Sequence, residues 1–222
     1  MNFFDDLFNS TITLPSDKNS EMLDIDLYWQ IIENSLETAD TLEQQEENLI
    51  EELSFLAAED IIGFKLRTDY FMSLSYQNEL WCAASIMNET CDYEGFKKFR
   101  AWLISQGKNI YTEAMIDPDR LSHFFDEGFN EDDLYEFECF LHIPEEIFIT
   151  LYNQNIHNYI DYENFKYLED LYPEMELTWN EEEISTLQLI CPKLFTIFFE
   201  NISTYDDDDD DEEDRSDEFD IE

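Results

Sequence analysis

From Ile25 onward, apolar residues recur every three or four positions, the period of a helix buried along one face. The first such stretch carries Leu27, Tyr28, Ile31, Ile32 and Leu36, and a second, over residues 41–54, points Leu42, Leu49, Ile50 and Leu53 inward. A third spans residues 57–75 with Ile61, Phe64, Tyr70 and Phe71 toward the core. Its Gly63 costs about 1 kcal/mol against alanine and marks a close helix crossing. Residues 79–88 (Leu80, Trp81, Ala83, Ala84, Ile86, Met87) are apolar nearly all round, as a central buried helix is.

Asp92 then offers an N-cap and Gly107 a C-terminal stop. Between them Phe96, Phe99, Trp102 and Leu103 form the buried stripe. A short helix over residues 108–116 ends before Asp117-Pro118, and Pro118 opens the next turn. Further helices are expected near 131–141, 144–154, 161–171 and 180–200, punctuated by Pro144, Pro173 and Pro192. No internal repeat of 30–45 residues is present.

Composition strengthens the helical reading. The chain has no valine, 4 Gly and 5 Pro, too little β-branching and too few turn residues for a sheet protein. With 43% hydrophobic and 16% aromatic residues a core is available. The expectation is an all-α fold: a single compact multi-helix domain over residues 25–203. It is preceded by an arm over residues 1–24, where Phe3, Phe4, Leu7 and Phe8 dock and Ser16 to Ser20 form a polar connector. A disordered acidic tail over residues 204–222 follows.

Charge narrows the partners. Against 11 Lys+Arg stand 56 Asp+Glu, a formal net charge of -45. Nucleic acids and anionic membranes need local Lys/Arg to displace counterions, so neither is an expected partner. No run approaches the ~18 apolar residues of a membrane span, and the N-terminus is not that of a secretory signal. Cys82, Cys91, Cys139 and Cys191 lack metal-site spacing and suit structural thiols of a reducing cytosol, giving a cytoplasmic expectation. The acidic run from Asp206 has the length of a calcium loop, but Asp211 stands where the glycine turn belongs and Asp217 where the bidentate Glu belongs. No cofactor and no specific metal are expected. Before Asp206 acids still outnumber bases by 33, so the helical body itself is the polyanion.

One block is distinctive: Leu80-Trp81-Cys82-Ala83-Ala84-Ser85-Ile86-Met87-Asn88, then Cys91-Asp92-Tyr93-Glu94-Gly95-Phe96, then Phe99-Arg100-Ala101-Trp102-Leu103-Ile104-Ser105-Gln106-Gly107. It resembles the signature of a bacterial family, domain of unknown function 4240. Tyr28-Trp29 with Ile32-Glu33, Asp117-Pro118-Asp119-Arg120-Leu121, and Trp179-Asn180-Glu181 with Cys191-Pro192-Lys193-Leu194 are similar to flanking segments of that family. The resemblance spans about residues 26–200 and implies one domain. It departs from the family pattern where Glu89-Thr90 replaces paired glycines. The family name implies no activity.

The block supplies the candidate ligand or partner surface: Trp81, Cys91, Asp92, Glu94, Arg100 and Trp102. In one reading Asp92, Glu94 and Arg100 line a polar pocket at a helix N-terminus. In the other Asp92 caps, Phe96, Phe99 and Trp102 pack, and Arg100 pairs with an acid. Lys97, Lys98, Arg100, Lys108 and Arg120 also make residues 97–120 locally positive, able to receive an anion or to pair within the chain. No G-x-S-x-G, H-E-x-x-H or phosphate-cradling glycine loop is present, which leaves Cys91 with His123 as the one weighed nucleophile–base pair. The leading functional expectation is a non-enzymatic factor presenting carboxylates to a basic partner protein, as inhibitors and immunity proteins do. The alternative is a small-molecule-binding or hydrolytic protein with a polar pocket around residues 91–100.

Overall fold

A computed structural model describes residues 13–127 and 134–200. The order of helices begins with a hairpin. Helix α1, Ile25–Leu36, starts where the Asp24 carboxylate accepts from the amides of Asp26 and Leu27 at 3.0 and 3.1 Å. Helix α2, Leu42–Ser54, is capped by the Thr41 hydroxyl. Each cap satisfies backbone N–H groups that have no partner inside the helix. The two helices pack together, with Tyr28, Trp29, Ile31 and Ile32 buried on one and Leu49 and Leu53 on the other. Leu27 and Ile50, expected inward, are exposed, and Trp29 takes the inward place.

Helix α3, Ala58–Leu74, runs through the body against α5 and α7. The close approach at Gly63 is made by an extended strap rather than by a helix. Leu23 N–H donates to Gly63 O at 2.9 Å, and a Cβ on Gly63 would lie 2.8 Å from Leu23 N. The Arg67 guanidinium secures the same strap by donating to Leu23 O at 2.7 and 2.9 Å. The expected polar connector is likewise tied down, through Asn19 N–H to Tyr159 O and Asp161 N–H to Asn19 O, both 2.8 Å. Phe3, Phe4, Leu7 and Phe8 lie outside the described residues.

Helix α4, Asn78–Met87, is buried from Cys82 to Met87. A left-handed turn at Glu89 (φ 63°) leads to α5, Tyr93–Ser105, whose first turn is capped by Asp92. Glu89 makes this turn without a glycine, in a conformation that L-residues adopt at a cost. Gly107 at φ 90° separates α5 from α6, Lys108–Ile116. A 3-10 segment, Pro118–Glu127, follows.

The second half departs from the periodicity. Of the helix expected at 131–141, only a 3-10 turn, Glu138–Leu141, is found among the described residues. Helix α7, Ile143–Tyr152, forms as expected. The stretch 161–171 is not a helix: Asp161 Oδ1 accepts from Glu163 N and Asn164 N at 3.0 and 3.3 Å, the same contacts that cap α1, but the turn they open at 162–164 is not continued. Only Glu169–Leu171 then coils as a 3-10 turn. The helix expected at 180–200 is shortened and broken. Its pieces are α8, Ile184–Ile190, and α9, Pro192–Phe195, followed by a π-type turn, with the break at Cys191, which precedes a proline.

No strand occurs among the described residues, so the fold is all-α. One hydrophobic cluster extends from Leu23 to Phe198. Its aromatic centre joins Tyr28, Trp29, Phe64, Phe71 and Tyr111 at ring separations of 4.7 to 5.5 Å. The four cysteines are free thiols; Cys82, Cys91 and Cys191 are buried as structural thiols, whereas Cys139 is exposed. No helix among the described residues is long and apolar enough to cross a membrane.

Candidate functional site

The six residues singled out in the sequence divide among three settings. At the α4–α5 corner, the Trp81 indole N–H donates to Cys91 O at 2.7 Å, and its ring stacks on Phe96 at 4.7 Å with the planes 13° apart. Asp92 Oδ1 accepts from Gly95 N at 2.8 Å, so its carboxylate is spent on the helix end. Glu94 is exposed on the first turn. Trp102 is a core residue against Phe99 and Tyr135.

Cys91 is buried, and its amide donates to Glu181 Oε1 at 3.1 Å. Burial, with the negative charges of Glu136, Asp92 and Glu181, pushes its thiol up to about 12. Such a thiol stays protonated at neutral pH, opposite to what a nucleophile needs. His123 is exposed and its Nε2 lies 3.5 Å from Lys193 Nζ. Cys91 and His123 thus each engage other groups.

Arg100 sits at the floor of a cleft of about 450 Å³. Its guanidinium is wholly buried and lies 4.8 Å from the Phe96 ring centroid, 5.2 Å from that of Tyr76 and 5.6 Å from that of Tyr172. Phe96 thus touches both Trp81 and Arg100, which links two of the sequence candidates through one ring. Nε donates to Phe96 O at 3.3 Å and Nη1 to Met72 O at 2.7 Å. Nη2 has no hydrogen-bond partner. Burial lowers the pKa of Arg100 from its ordinary value, and the Tyr172 and Glu169 side chains work against that shift.

The cleft wall adds a connected set of titratable groups absent from the sequence candidates. Lys65 Nζ lies 3.3 Å from Asp69 and 3.4 Å from Glu145. Burial raises the Asp69 carboxyl against the pull of Lys65. Burial also opposes the Lys65 charge, but Asp69 and Glu145 outweigh it and raise the amine. His157 Nε2 lies 3.3 Å from Glu145, and its Nδ1 hydrogen-bonds the Tyr162 hydroxyl. These groups come from α3, α7 and the irregular 156–172 segment, a dispersal with no spacing signal. Among the described residues no cluster of His, Cys, Asp or Glu is arranged to hold a metal ion.

The positive stretch 97–120 is balanced by acids, several brought from elsewhere in the chain. Lys97 pairs with Glu169 at 2.9 Å, and Lys98 with Glu138 and Glu136 at 3.2 and 3.7 Å. Lys108 pairs with Asp26 at 3.3 Å, and Arg120 with Glu113 and Asp117 at 2.8 and 3.9 Å. The reverse holds at the α1–α2 hairpin. Residues 19–64 contain thirteen acids and no Lys or Arg, and among the described residues only Asp26 of these has an ion-pair partner. That base-free run is visible in the sequence as a gap between Lys18 and Lys65.

Fold and site define an all-α protein with a buried arginine beneath a cleft and an acidic α1–α2 hairpin that has one ion pair among the described residues. A family model described as "Protein of unknown function (DUF4240)" matches residues 23–150, more than half of the chain, and the protein belongs to that family. The matched span takes in α1 to most of α7 and both the acidic hairpin and Arg100. Trp179 and Cys191–Leu194 lie beyond it. Neither curated proteins nor solved structures give a match.

Proposed function

We propose that this protein is a non-enzymatic binding factor whose acidic hairpin engages a basic surface of a partner protein, as an inhibitor or immunity factor does. One observation carries this reading: the thirteen acids of residues 19–64 face no base within their own segment and, Asp26 apart, none elsewhere among the described residues. Glu43, Glu47 and Glu51 repeat every four residues along α2 and are exposed. On a helix this spacing stacks like charges, at a cost of about 0.2–0.5 kcal/mol per pair. A cationic partner would relieve that repulsion on docking, and the negative field would speed the encounter. The hydrolytic alternative centred on residues 91–100 draws less support, since Asp92 is spent on a cap and the Cys91 thiol is held protonated.

The test is affinity purification from a native lysate, with mass spectrometry, using the wild type and a Glu43→Gln, Glu47→Gln, Glu51→Gln triple variant. The wild type should retain a basic protein that elutes as salt rises, and the triple variant should lose it. Recovery of no basic protein, or equal recovery by both, contradicts the reading.

A further inference from the structure

The cleft over Arg100 carries an inference independent of the acidic hairpin. An unpaired charge in a low-dielectric interior is costly, so a buried guanidinium is ordinarily met by a carboxylate. This chain has 56 acids, yet none of the described ones forms an ion pair with Arg100. The acids around it are engaged otherwise: Asp69 and Glu145 by Lys65, and Glu169 by Lys97 and the Tyr93 hydroxyl. Arg100 donates to two backbone carbonyls, lies against three aromatic rings and feels the Tyr172 hydroxyl beside it, yet no acceptor stands at hydrogen-bonding distance from Nη2.

The cleft above it, about 450 Å³, has the size of a small-molecule site. Tyr172 is half-buried and belongs to a stretch, 172–177, without regular secondary structure. Its ring overlies the guanidinium, so a side-chain rotation there changes access to Arg100 without disturbing a helix. We propose that the cleft binds a small molecule through an oxyanion, a carboxylate or a phosphate, that accepts from Arg100 Nη2 when the Tyr172 ring turns aside. The charge-assisted hydrogen bond supplies the unmet partner and offsets the unpaired charge in one contact. Lys97, one turn before Arg100 on α5, lines the same cleft but is already paired with Glu169 at 2.9 Å, so Arg100 is the cation left for the anion to meet.

The probes are inorganic phosphate and acetate, each titrated into the full-length protein against chloride at matched ionic strength. The chloride control is needed because screening alone relieves repulsion in so acidic a chain. The expected result is a saturable rise in Tm beyond chloride, of about 2 °C or more, with at least one anion. A response to phosphate alone assigns a phosphate-bearing ligand, and a response to acetate alone a carboxylate. Tyr172→Ala, which removes the cover, should lower the half-saturating concentration several-fold; Tyr172→Phe, which keeps the ring and drops only the hydroxyl, should change it less, and Arg100→Lys should abolish the response. No saturable excess with either anion overturns the proposal, as does a Tyr172→Ala midpoint equal to wild type. Should Arg100→Lys fail to fold, the Tyr172→Ala midpoint decides alone.

Discussion

Residues 97–120 hold five of the eleven basic side chains, and residues 19–64 hold none. In the first region Lys97, Lys98, Lys108 and Arg120 each find a carboxylate within 4 Å. In the second, helices α1 and α2 keep their acids on the surface, with one ion pair to share among them. The contrast teaches where the charge of this protein is an accommodation and where it is a surplus. Around α5, acids from the 136–138 and 169 segments are placed as counter-ions to bases that a core helix carries on its flanks. Along α2 the packing is done by Leu49 and Leu53, and none of its glutamates forms an ion pair among the described residues, Glu52 accepting only from the Asn34 amide.

The largest effect is expected where the α5 region is held by packing rather than by charge. Trp81→Ala removes the ring stacked on Phe96 and the donor to Cys91 O, and should cost about 2–3 kcal/mol in urea unfolding. A loss below about 1 kcal/mol would mean that the ion pairs, not the stack, organise this corner. Next comes a pair of charge reversals with opposite signs. Glu47→Lys turns two repulsive pairs, with Glu43 and Glu51, into attractive ones and should stabilise by about 1 kcal/mol. Lys98→Glu deletes two ion pairs and faces Glu136 and Glu138 with a like charge, so it should lower Tm. Equal signs would erase the contrast.

Smaller still is the turn between α4 and α5. Glu89→Gly relieves a positive φ of 63° and removes one more acid; the backbone relief, less the extra freedom of the unfolded chain, should give about 0.5–1 kcal/mol of stabilisation by chemical denaturation. The smallest effect concerns the counter-ion at 169. Burial works to raise the Glu169 carboxyl, but Lys97, Tyr93 and Arg100 prevail and hold it below its ordinary 4.5. A depressed folded pKa adds stability that is present above 4.5 and lost as the pH falls through the lower folded value. Glu169→Gln should therefore show a shallower loss of Tm on acidification below pH 4.5 than the wild type, and identical slopes would contradict the pairing.

The first half of the fold is legible because its helices carry their own punctuation. Asp24, Thr41 and Asp92 supply side-chain caps and Gly107 a stop, so pattern and ends agree. Beyond residue 154, Tyr162, Phe165 and Leu168 keep helical spacing and Asp161 supplies a cap-like carboxylate, yet the chain makes one turn there and does not continue it, so pattern and cap together do not suffice. The site shows the same division. Trp81, Cys91 and Asp92 are neighbours in sequence and meet at one corner. The cleft needs Lys65, Glu145, His157 and Tyr172, which only tertiary packing brings to Arg100. The absence of bases from residues 19–64 is plain in the sequence, but that its acids remain unpaired depends on where Lys65, Lys97 and Lys98 turn.

Uncompensated charge on the α1–α2 hairpin should show in thermal unfolding. It is tested most directly by Tm from about 20 to 500 mM NaCl in two triple variants, one neutralising Glu43, Glu47 and Glu51 to Gln, the other Glu136, Glu138 and Glu169 to Gln. The wild type should melt higher as salt rises, because screening relieves repulsion. The hairpin variant should start higher at low salt and rise less, and the counter-ion variant should start lower than the wild type. A hairpin variant that melts below the wild type at low salt, or a wild-type Tm that is flat or falls with salt, would contradict the claim.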